Sequence, residues 1–175
     1  MKQKSFFLVL SLLFMSNTIF AQKNEFGLLL GGMNGLSYKH IVSDDFAIQT
    51  DLAVGFQRTI GTEGIKDDLY NYTFDIFDFT LNANFLYNKE LQNNIYVYAG
   101  GGPNIGLMQT LYNSDITFGK FGANAMFGVG YKMPNLPLSF SLDFRPGYAL
   151  MLNYKYEMLL HMLDWHLSCG VRYCF

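Results

Sequence analysis

The sequence predicts an all-β protein, an eight-stranded antiparallel up-and-down barrel that crosses a membrane and has a filled polar interior. In eight successive segments, apolar residues recur at every second position, which is the period of a β-strand. Most segments are long enough to cross a membrane, which takes a strand of roughly 9–11 residues. The apolar phase carries most of the aromatic residues, whereas the other phase is polar or small.

The first residues have the signature of a secretory signal peptide. Two lysines precede an apolar run over residues 6–20, and the small residue Ala21 follows it. The run is shorter than the roughly 20 residues that a transmembrane helix needs. We therefore predict cleavage after Ala21, so that residues 1–21 are the signal peptide and residues 22–175 form the barrel domain.

Charge and cysteine content narrow the range of functions. The 12 basic and 14 acidic residues become 10 and 14 once the two lysines of the predicted signal peptide are removed. No basic run remains, so we expect no nucleic-acid partner. Cys169 and Cys174 lie five residues apart on one predicted strand and so point to opposite faces. We expect neither a disulfide between them nor a metal site or cofactor.

The predicted strands follow one another along the chain, separated by turn residues. They cover residues 26–30, 36–42, 46–56, 77–87, 95–107, 121–131, 138–144 and 165–175. Asn34-Gly35 predicts the first hairpin turn, since this pair favours a type I′ turn. The apolar phase slips before Phe77, which predicts a bulge near Ile76. Pro103 predicts a second bulge or kink, because proline cannot donate to a strand ladder.

The connections between strands alternate in length. Residues 43–45, 88–94 and 133–137 form short turns, and residues 57–71, 111–117 and 149–160 form mostly longer loops. Membrane barrels have short turns on the inner side and longer loops outside. We therefore expect the three longer connections to be outer loops. Glu63, Asp67 and Asp68 make the first of them acidic, and we interpret these residues as solvated.

Volume decides which face of the barrel points outward. A soluble carrier barrel of the lipocalin type puts its apolar face inside. The interior of an eight-stranded barrel is only just wide enough to fill with side chains, so it has no room for most of the aromatic residues. The apolar face is therefore predicted to contact lipid, with aromatic girdles at both ends of the strands. The girdle residues are Phe46, Tyr87, Tyr131, Tyr173 and Phe175 at the inner end, and Phe56, Phe77, Tyr148 and Trp165 at the outer end.

The polar phase carries charged residues that would point into the lumen. They are Lys39, Asp51, Asp78, Lys120, Asp143, Arg145, Asp164 and Arg172. Charges in a narrow interior must be paired, so we interpret them as an internal salt-bridge network. The alternative is a narrow ion path; a general porin is not predicted, because eight strands leave little room for water.

Three residues on the last strand have the side chains of a catalytic triad. Asp164, His166 and Ser168 share the inward phase, and such groups activate a nucleophile if the base reaches the hydroxyl. The His-x-Ser pair is similar to that of lipid A deacylase barrels. Residues two apart on a strand are about 6.8 Å apart, and the inward phase excludes lipid. We therefore predict polar filling and no enzyme activity. His40 and His161 fall on the lipid phase near strand ends and are not expected to bind metal.

The last strand, "WHLSCGVRYCF", has an apolar phase that ends in two aromatic residues. It resembles the C-terminal insertion signal of bacterial outer-membrane barrels, carried here by Trp165, Leu167, Val171, Tyr173 and Phe175. "YAGGGP" at residues 98–103 and "GLSYKH" at residues 35–40 also resemble the small eight-stranded family that includes outer-membrane protein A. The resemblance extends over residues 24–175. It implies the outer membrane of a Gram-negative bacterium, insertion by the barrel assembly machinery, and contact with outer-membrane lipid.

The sequence thus favours a non-enzymatic membrane barrel with a structural or surface-binding role, whose unidentified ligand contacts the outer loops at 57–71, 111–117 and 149–160. One alternative is a lipid-modifying barrel enzyme of the lipid A deacylase kind that uses His166 and Ser168. The other alternative is a soluble lipocalin-like carrier barrel.

Overall fold

A computed structural model of the chain describes residues 23–65, 68–110, 117–153 and 158–175. The predicted signal peptide, residues 1–21, lies outside the described residues. None of the described residues forms a helix long and apolar enough to cross a membrane. The strands are β1 (Asn24–Gly31), β2 (Asn34–Ile41), β3 (Phe46–Ile65), β4 (Asp68–Glu90), β5 (Ile95–Thr110), β6 (Thr117–Lys132), β7 (Leu138–Asn153) and β8 (Met158–Cys174).

The eight strands form a closed barrel in chain order. Each strand pairs antiparallel with the next, and β1 pairs antiparallel with β8. At the seam, the Asn24 amide donates to the Phe175 carbonyl at 3.0 Å and the Phe175 amide donates to the Asn24 carbonyl at 2.8 Å. The predicted fold class is therefore confirmed.

The two faces of the wall differ as the alternation predicts. Large apolar side chains such as Leu28, Phe85 and Phe127 are exposed on the outside of the barrel. Residues of the other phase, such as Gln49 and Asp143, are buried in the lumen. Because side chains alternate strictly along a strand, strands that keep their register maintain this division along the described wall.

The first hairpin turn lies two residues earlier than predicted. Asn34 and Gly35 belong to β2, and Gly35 pairs with Leu29. Gly31 has a φ of 127°, a backbone conformation that favours glycine. The Gly31 amide donates to Asn34 Oδ1, and Asn34 Nδ2 donates to the Gly31 carbonyl, both at 3.1 Å. Asn34 thus stabilises the turn from its flank, because pairing Leu28 with Leu36 centres the hairpin on Gly32.

The bulge predicted near Ile76 is wrong. Ile76 pairs with Gln57 and with Thr110 in ladders that keep their register. Its side chain is buried in the lumen. The change of apolar phase before Phe77 therefore reflects an apolar residue that lines the lumen, and not the extra residue of a bulge. Around Pro103, the β4–β5 ladder omits two pairs but resumes in the same register, since proline has no amide hydrogen to donate.

Two predicted outer loops are largely strand. Strand β3 continues to Ile65 and β4 begins at Asp68, and the two pair throughout. We call their outermost segments, residues 57–65 and 68–76, the arm. Strand β7 likewise continues to Asn153 and β8 begins at Met158, so most of the predicted loop at 149–160 belongs to the wall. The third predicted loop falls mainly on residues 111–116, which lie outside the described residues.

Candidate functional site in the barrel interior

The middle of the lumen holds a balanced set of four charges, which we call the central network: Asp51, Asp143, Arg145 and Arg172. Arg145 donates to Asp51 at 2.6 Å and to Asp143 at 2.8 Å. Arg172 Nη2 lies 3.7 Å from Asp143 Oδ2. All four side chains are buried. Two cations thus neutralise two carboxylates, as charges in a low-dielectric interior require.

Neutral groups complete the central network. Arg172 donates from Nε to the Ser37 hydroxyl at 2.9 Å and from Nη1 to the Ser141 hydroxyl at 2.8 Å. The Tyr98 hydroxyl donates to the Asp143 carboxylate. Because these partners come from β2, β5, β7 and β8, the network ties opposite walls of the barrel together.

Nearer the outer end lies a second set, which we call the outer triad: Asp78, Lys120 and Asp164. The Lys120 ammonium donates to Asp78 at 2.7 Å and to Asp164 at 3.0 Å. These side chains come from β4, β6 and β8 and are almost completely buried. His166 adjoins this set, because its Nε2 atom lies 3.5 Å from Asp164 Oδ2. One lysine therefore bridges two strands that do not pair with each other.

The outer end of the lumen is apolar, which the sequence analysis missed. Six buried side chains from five strands form one cluster, which we call the outer plug: Ile76, Met108, Phe118, Ala149, Met151 and Met162. It adjoins the outer triad, since Met108 pairs across from Asp78 and Met151 from Lys120. The sequence does contain a signal for this plug, namely apolar residues on the inward phase near the outer ends of the strands.

The opposite end of the lumen, which we call the periplasmic end after the orientation expected from the short turns, combines charges with aromatic rings. Lys39 donates to Asn88 Oδ1 at 3.0 Å, and its ammonium lies 4.8 and 4.7 Å from the ring centroids of Tyr96 and Tyr98. Such cation–π contacts stabilise a desolvated ammonium. The phenol rings in turn lie where the β6 wall has glycine.

Glu25 is a buried lumen charge that the prediction omitted. Its Oε2 accepts a hydrogen bond from the Ser139 hydroxyl at 3.0 Å, and its Oε1 lies 3.8 Å from the Lys132 ammonium. The sequence indicates this position, because Glu25 directly precedes the lipid-facing Phe26 on the same strand and must therefore point to the other face.

Two cavities in the described lumen are small. One of about 10 Å³, which is room for about one water molecule, is lined by three asparagines and by Lys120 and Asp164 of the outer triad. The asparagine atoms Asn82 Nδ2, Asn104 Oδ1 and Asn124 Oδ1 are buried without a hydrogen-bond partner among the described residues. A second cavity, of about 50 Å³, opens at the periplasmic mouth beside Lys39 and Lys132. Neither volume accommodates the ligand of a carrier barrel.

The three residues predicted as a possible catalytic triad, Asp164, His166 and Ser168, all lie in the lumen. Asp164 and His166 are neighbours in the outer triad region. The Ser168 hydroxyl accepts a hydrogen bond from the Met33 amide at 3.3 Å and is buried. Its lipid-facing neighbours are Leu167 and Cys169, so the wall separates Ser168 from any acyl substrate.

The remaining predicted residues lie outside these networks. His40 Nδ1 is 2.9 Å from Asn24 Oδ1, and the ring of His161 contacts the Tyr148 hydroxyl. Cys169 is exposed, Cys174 is buried, and neither forms a disulfide. Within the described ranges, no group of three His, Cys, Asp or Glu side chains is placed to hold a metal ion.

No protein-family model matches the sequence, and a search of curated proteins found no match. Among solved structures, the barrel is similar to Neisserial surface protein A, with a TM-score of 0.58 at 16% identity over 87% of this chain and 93% of that chain. This chain has the fold of the small outer-membrane β-barrels. The Yersinia pestis outer membrane protein Ail, solved in a phospholipid bilayer nanodisc, matches more loosely, with a TM-score of 0.37 at 15% identity over 87% of this chain and 97% of that chain.

Proposed function

We propose that this chain is a non-enzymatic barrel of the outer membrane of a Gram-negative bacterium, where it binds a surface ligand through its outer extensions. The observation that carries the proposal is the division of the wall, with an apolar exterior around a lumen filled by paired charges and an apolar plug. After cleavage of the signal peptide, the barrel assembly machinery would insert the chain.

The exterior supports the membrane location. Exposed apolar side chains occur on all eight strands, and a continuous patch of this extent on a soluble protein leads to aggregation. In lipid, every strand must have its backbone groups satisfied, which a closed barrel achieves. A soluble carrier would have the opposite arrangement, with an apolar cavity inside.

The filled lumen supports a role at the outer rim. The outer plug and the central network fill the described part of the lumen at its outer end and in its middle, which favours ligand contact at the rim rather than inside. The arm, residues 57–65 and 68–76, extends past the last β2–β3 pair at Val54. It replaces the first predicted outer loop as the principal candidate for ligand contact, together with the outer ends of β7 and β8.

Membrane fractionation and gel mobility test the location and the closed barrel. We expect the protein in the outer-membrane fraction, and we expect its band to shift when the detergent sample is boiled, because a closed barrel resists detergent until heated. A protein released with the periplasm, whose band does not shift, would contradict the proposal.

Protease treatment of intact cells tests which end faces outward. Trypsin added to intact cells should cut at Arg58 in the arm or at Lys66, which lies between the two arm segments in the sequence. Lys89, beside the β4–β5 turn at the opposite end, should become accessible only after the outer membrane is permeabilised. Cleavage at Lys89 alone in intact cells would reverse the orientation.

Lipid analysis tests the absence of enzyme activity. Because Ser168 is buried behind the wall, cells carrying the natural chain and cells carrying Ser168→Ala should contain the same lipid A by mass spectrometry. A lipid A species that disappears with Ser168→Ala, while the band still shifts on boiling, would establish the deacylase alternative.

A further inference from the structure

The outer rim of the barrel is uneven. Strands β1 and β2 have eight residues each, and their ladders with the neighbouring strands end at the pairs Gly31–Ser168 and Asn34–Val54. Residues 55–65 of β3 and 158–166 of β8 continue outward. No described strand pairs with them on that side. We call this gap above the first hairpin the notch.

Side-chain exposure marks both sides of the notch. Among the residues whose side chains the structure describes, the three most exposed large apolar side chains are Leu163 at 82%, Trp165 at 72% and Phe56 at 70%. Leu163 and Trp165 lie on the β8 edge, and Phe56 lies on the β3 edge. A side chain on a closed wall is partly covered by those of the adjacent strands, and here those strands are missing. All three share the lipid-facing phase, so the notch is continuous with the apolar belt.

The floor of the notch lies within the apolar belt. Eight residues at about 3.3 Å each, tilted by about 45°, rise about 19 Å, whereas the apolar band of such a barrel is about 25 Å tall. The wall is therefore about 6 Å too low at the first hairpin to reach the outer boundary of the hydrocarbon. Among the described residues, no protein segment covers this part of the wall, which leaves it open to lipid.

The notch opens toward lipid and not into the lumen. Met33, at the tip of the hairpin, is buried and lines the small cavity beside the outer triad. The Gly32 amide donates to the Leu167 carbonyl at 2.8 Å, and the Met33 amide donates to the Ser168 hydroxyl. These contacts fasten the hairpin tip to β8, so the floor is closed.

The two edges present backbone amide and carbonyl groups that hydrocarbon cannot satisfy. Unpaired backbone groups in lipid are unfavourable, so the occupant must be polar where it meets the edges and apolar below them. A lipid of the surrounding outer leaflet has this composition. Below the floor, the first hairpin presents the exposed side chains of Leu28, Leu30 and Leu36, which acyl chains would cover.

We propose that the notch is a binding seat for one lipid of the outer leaflet. The ester or amide groups and the head group of the lipid hydrogen-bond to the edges of β3 and β8. Its acyl chains lie on the leucine face of the first hairpin, between Phe56 and Trp165. This inference rests on the membrane location proposed above, and it assigns the head-group contacts to backbone rather than to charged side chains.

Trp165 reports on the seat directly, because it is the only tryptophan in the chain. The mature protein in detergent micelles is titrated with a phosphatidylcholine that carries a dibrominated acyl chain, which quenches nearby tryptophan. The matched control, W165F/F121W, moves the tryptophan to a lipid-facing site on β6. We expect half-maximal quenching of Trp165 at about one tenth of the lipid that the control needs, a preference of about 1.4 kcal/mol.

A second variant fills the notch. Two β-forming residues are inserted on each side of the Gly32–Met33 tip, so that β1 and β2 pair further with β8 and β3. We expect this variant to lose the saturable quenching of Trp165 while its band still shifts on boiling.

Two results would overturn the seat. The first is equal quenching of Trp165 and of the control tryptophan, which would show unspecific contact with lipid. The second is a doubled protein mass that the filled variant abolishes, which would assign the notch to a second copy of the chain. A failure of the membrane location is distinguishable from both, because the heat-dependent band shift would then be absent in every variant.

Discussion

The two ends of the lumen are closed by different chemistry. At the outer end, the outer triad lies against the outer plug, and its ion pairs have distances of 2.7 and 3.0 Å. At the periplasmic end, Lys132 is 43% exposed and lies 3.8 Å from Glu25, and Lys39 rests on two phenol rings beside an open cavity. A buried lysine held between two carboxylates depends on both ion pairs, whereas the half-exposed Lys132 makes only a loose contact, and the buried Lys39 is stabilised by aromatic rings and an amide oxygen. Substitutions at the outer end should therefore cost more stability.

The largest effect is expected from Lys120→Met. The substitution leaves Asp78 and Asp164 buried without their cation, and breaking such a buried pair costs about 3–5 kcal/mol. Urea unfolding of the purified barrel, followed by the fraction of unboiled folded band, measures the loss. Lys39→Met is the control at the periplasmic end and should cost less. An equal loss for both variants would remove the distinction between the two ends.

Met108→Ala should have the next largest effect, because the Met108 side chain is completely buried in the outer plug. Truncating a buried methionine costs about 2–5 kcal/mol through lost burial and the cavity left behind. The same urea titration provides the measurement. Leu107→Ala, next to it on the lipid face, is the control and should change the midpoint less. If the two midpoints coincide, the plug does not stabilise the barrel.

Gly128→Ala should have an intermediate effect near the periplasmic end. A Cβ atom at Gly128 would collide with the Tyr98 ring, which its hydrogen bond to Asp143 holds in place. Such overpacking costs about 1–3 kcal/mol. Gly119→Ala is the matched control on the same strand, because its Cβ would meet only ordinary contacts, the nearest at 3.5 Å. A Gly128→Ala protein as stable as the Gly119→Ala protein would show that the tyrosine ring moves freely.

The smallest effect is expected from Lys132→Ala. Its ammonium is 3.8 Å from Glu25 and the side chain is 43% exposed, and half-exposed ion pairs contribute about 0–1 kcal/mol. The urea midpoint should remain nearly unchanged, and any loss should shrink further in high salt. A loss as large as that of Lys120→Met would mean that the periplasmic mouth is as dry as the outer end.

Alternation alone placed eight charged residues in the lumen, although the prediction omitted Glu25. Lys120, Asp78 and Asp164 fall on the inward phase of three different strands, and the period of two fixes the face of each residue once the phase is known. The same rule placed Ser168 and His166 inside and so argued against lipid chemistry. It misinterpreted Ile76 because an apolar residue on the polar phase looks like a slip of register when the lining of the lumen is not known.

The lengths of the strands at the outer rim could not be predicted from the residue pattern. Residues 57–65 are polar and rich in turn formers, so they were assigned to a loop, yet they pair with β4 rung by rung. Strand β1 ends at Gly31, although the Asn34-Gly35 pair predicted a turn further along the chain. In both cases the length of a strand depends on its pairing with the next strand along the chain, which the residue types of one segment do not show.

The sequence by itself determined the strand count, the face of most side chains in the predicted strands and the lipid-facing exterior, because these follow from a local period of two and from the volume of a small barrel. Only the tertiary structure decided that Lys120 joins Asp78 to Asp164, that Arg145 joins Asp51 to Asp143, and that the wall is low at the first hairpin. Those features depend on the stagger and length of strands that meet across the barrel, and hydrogen bonding between distant segments sets both.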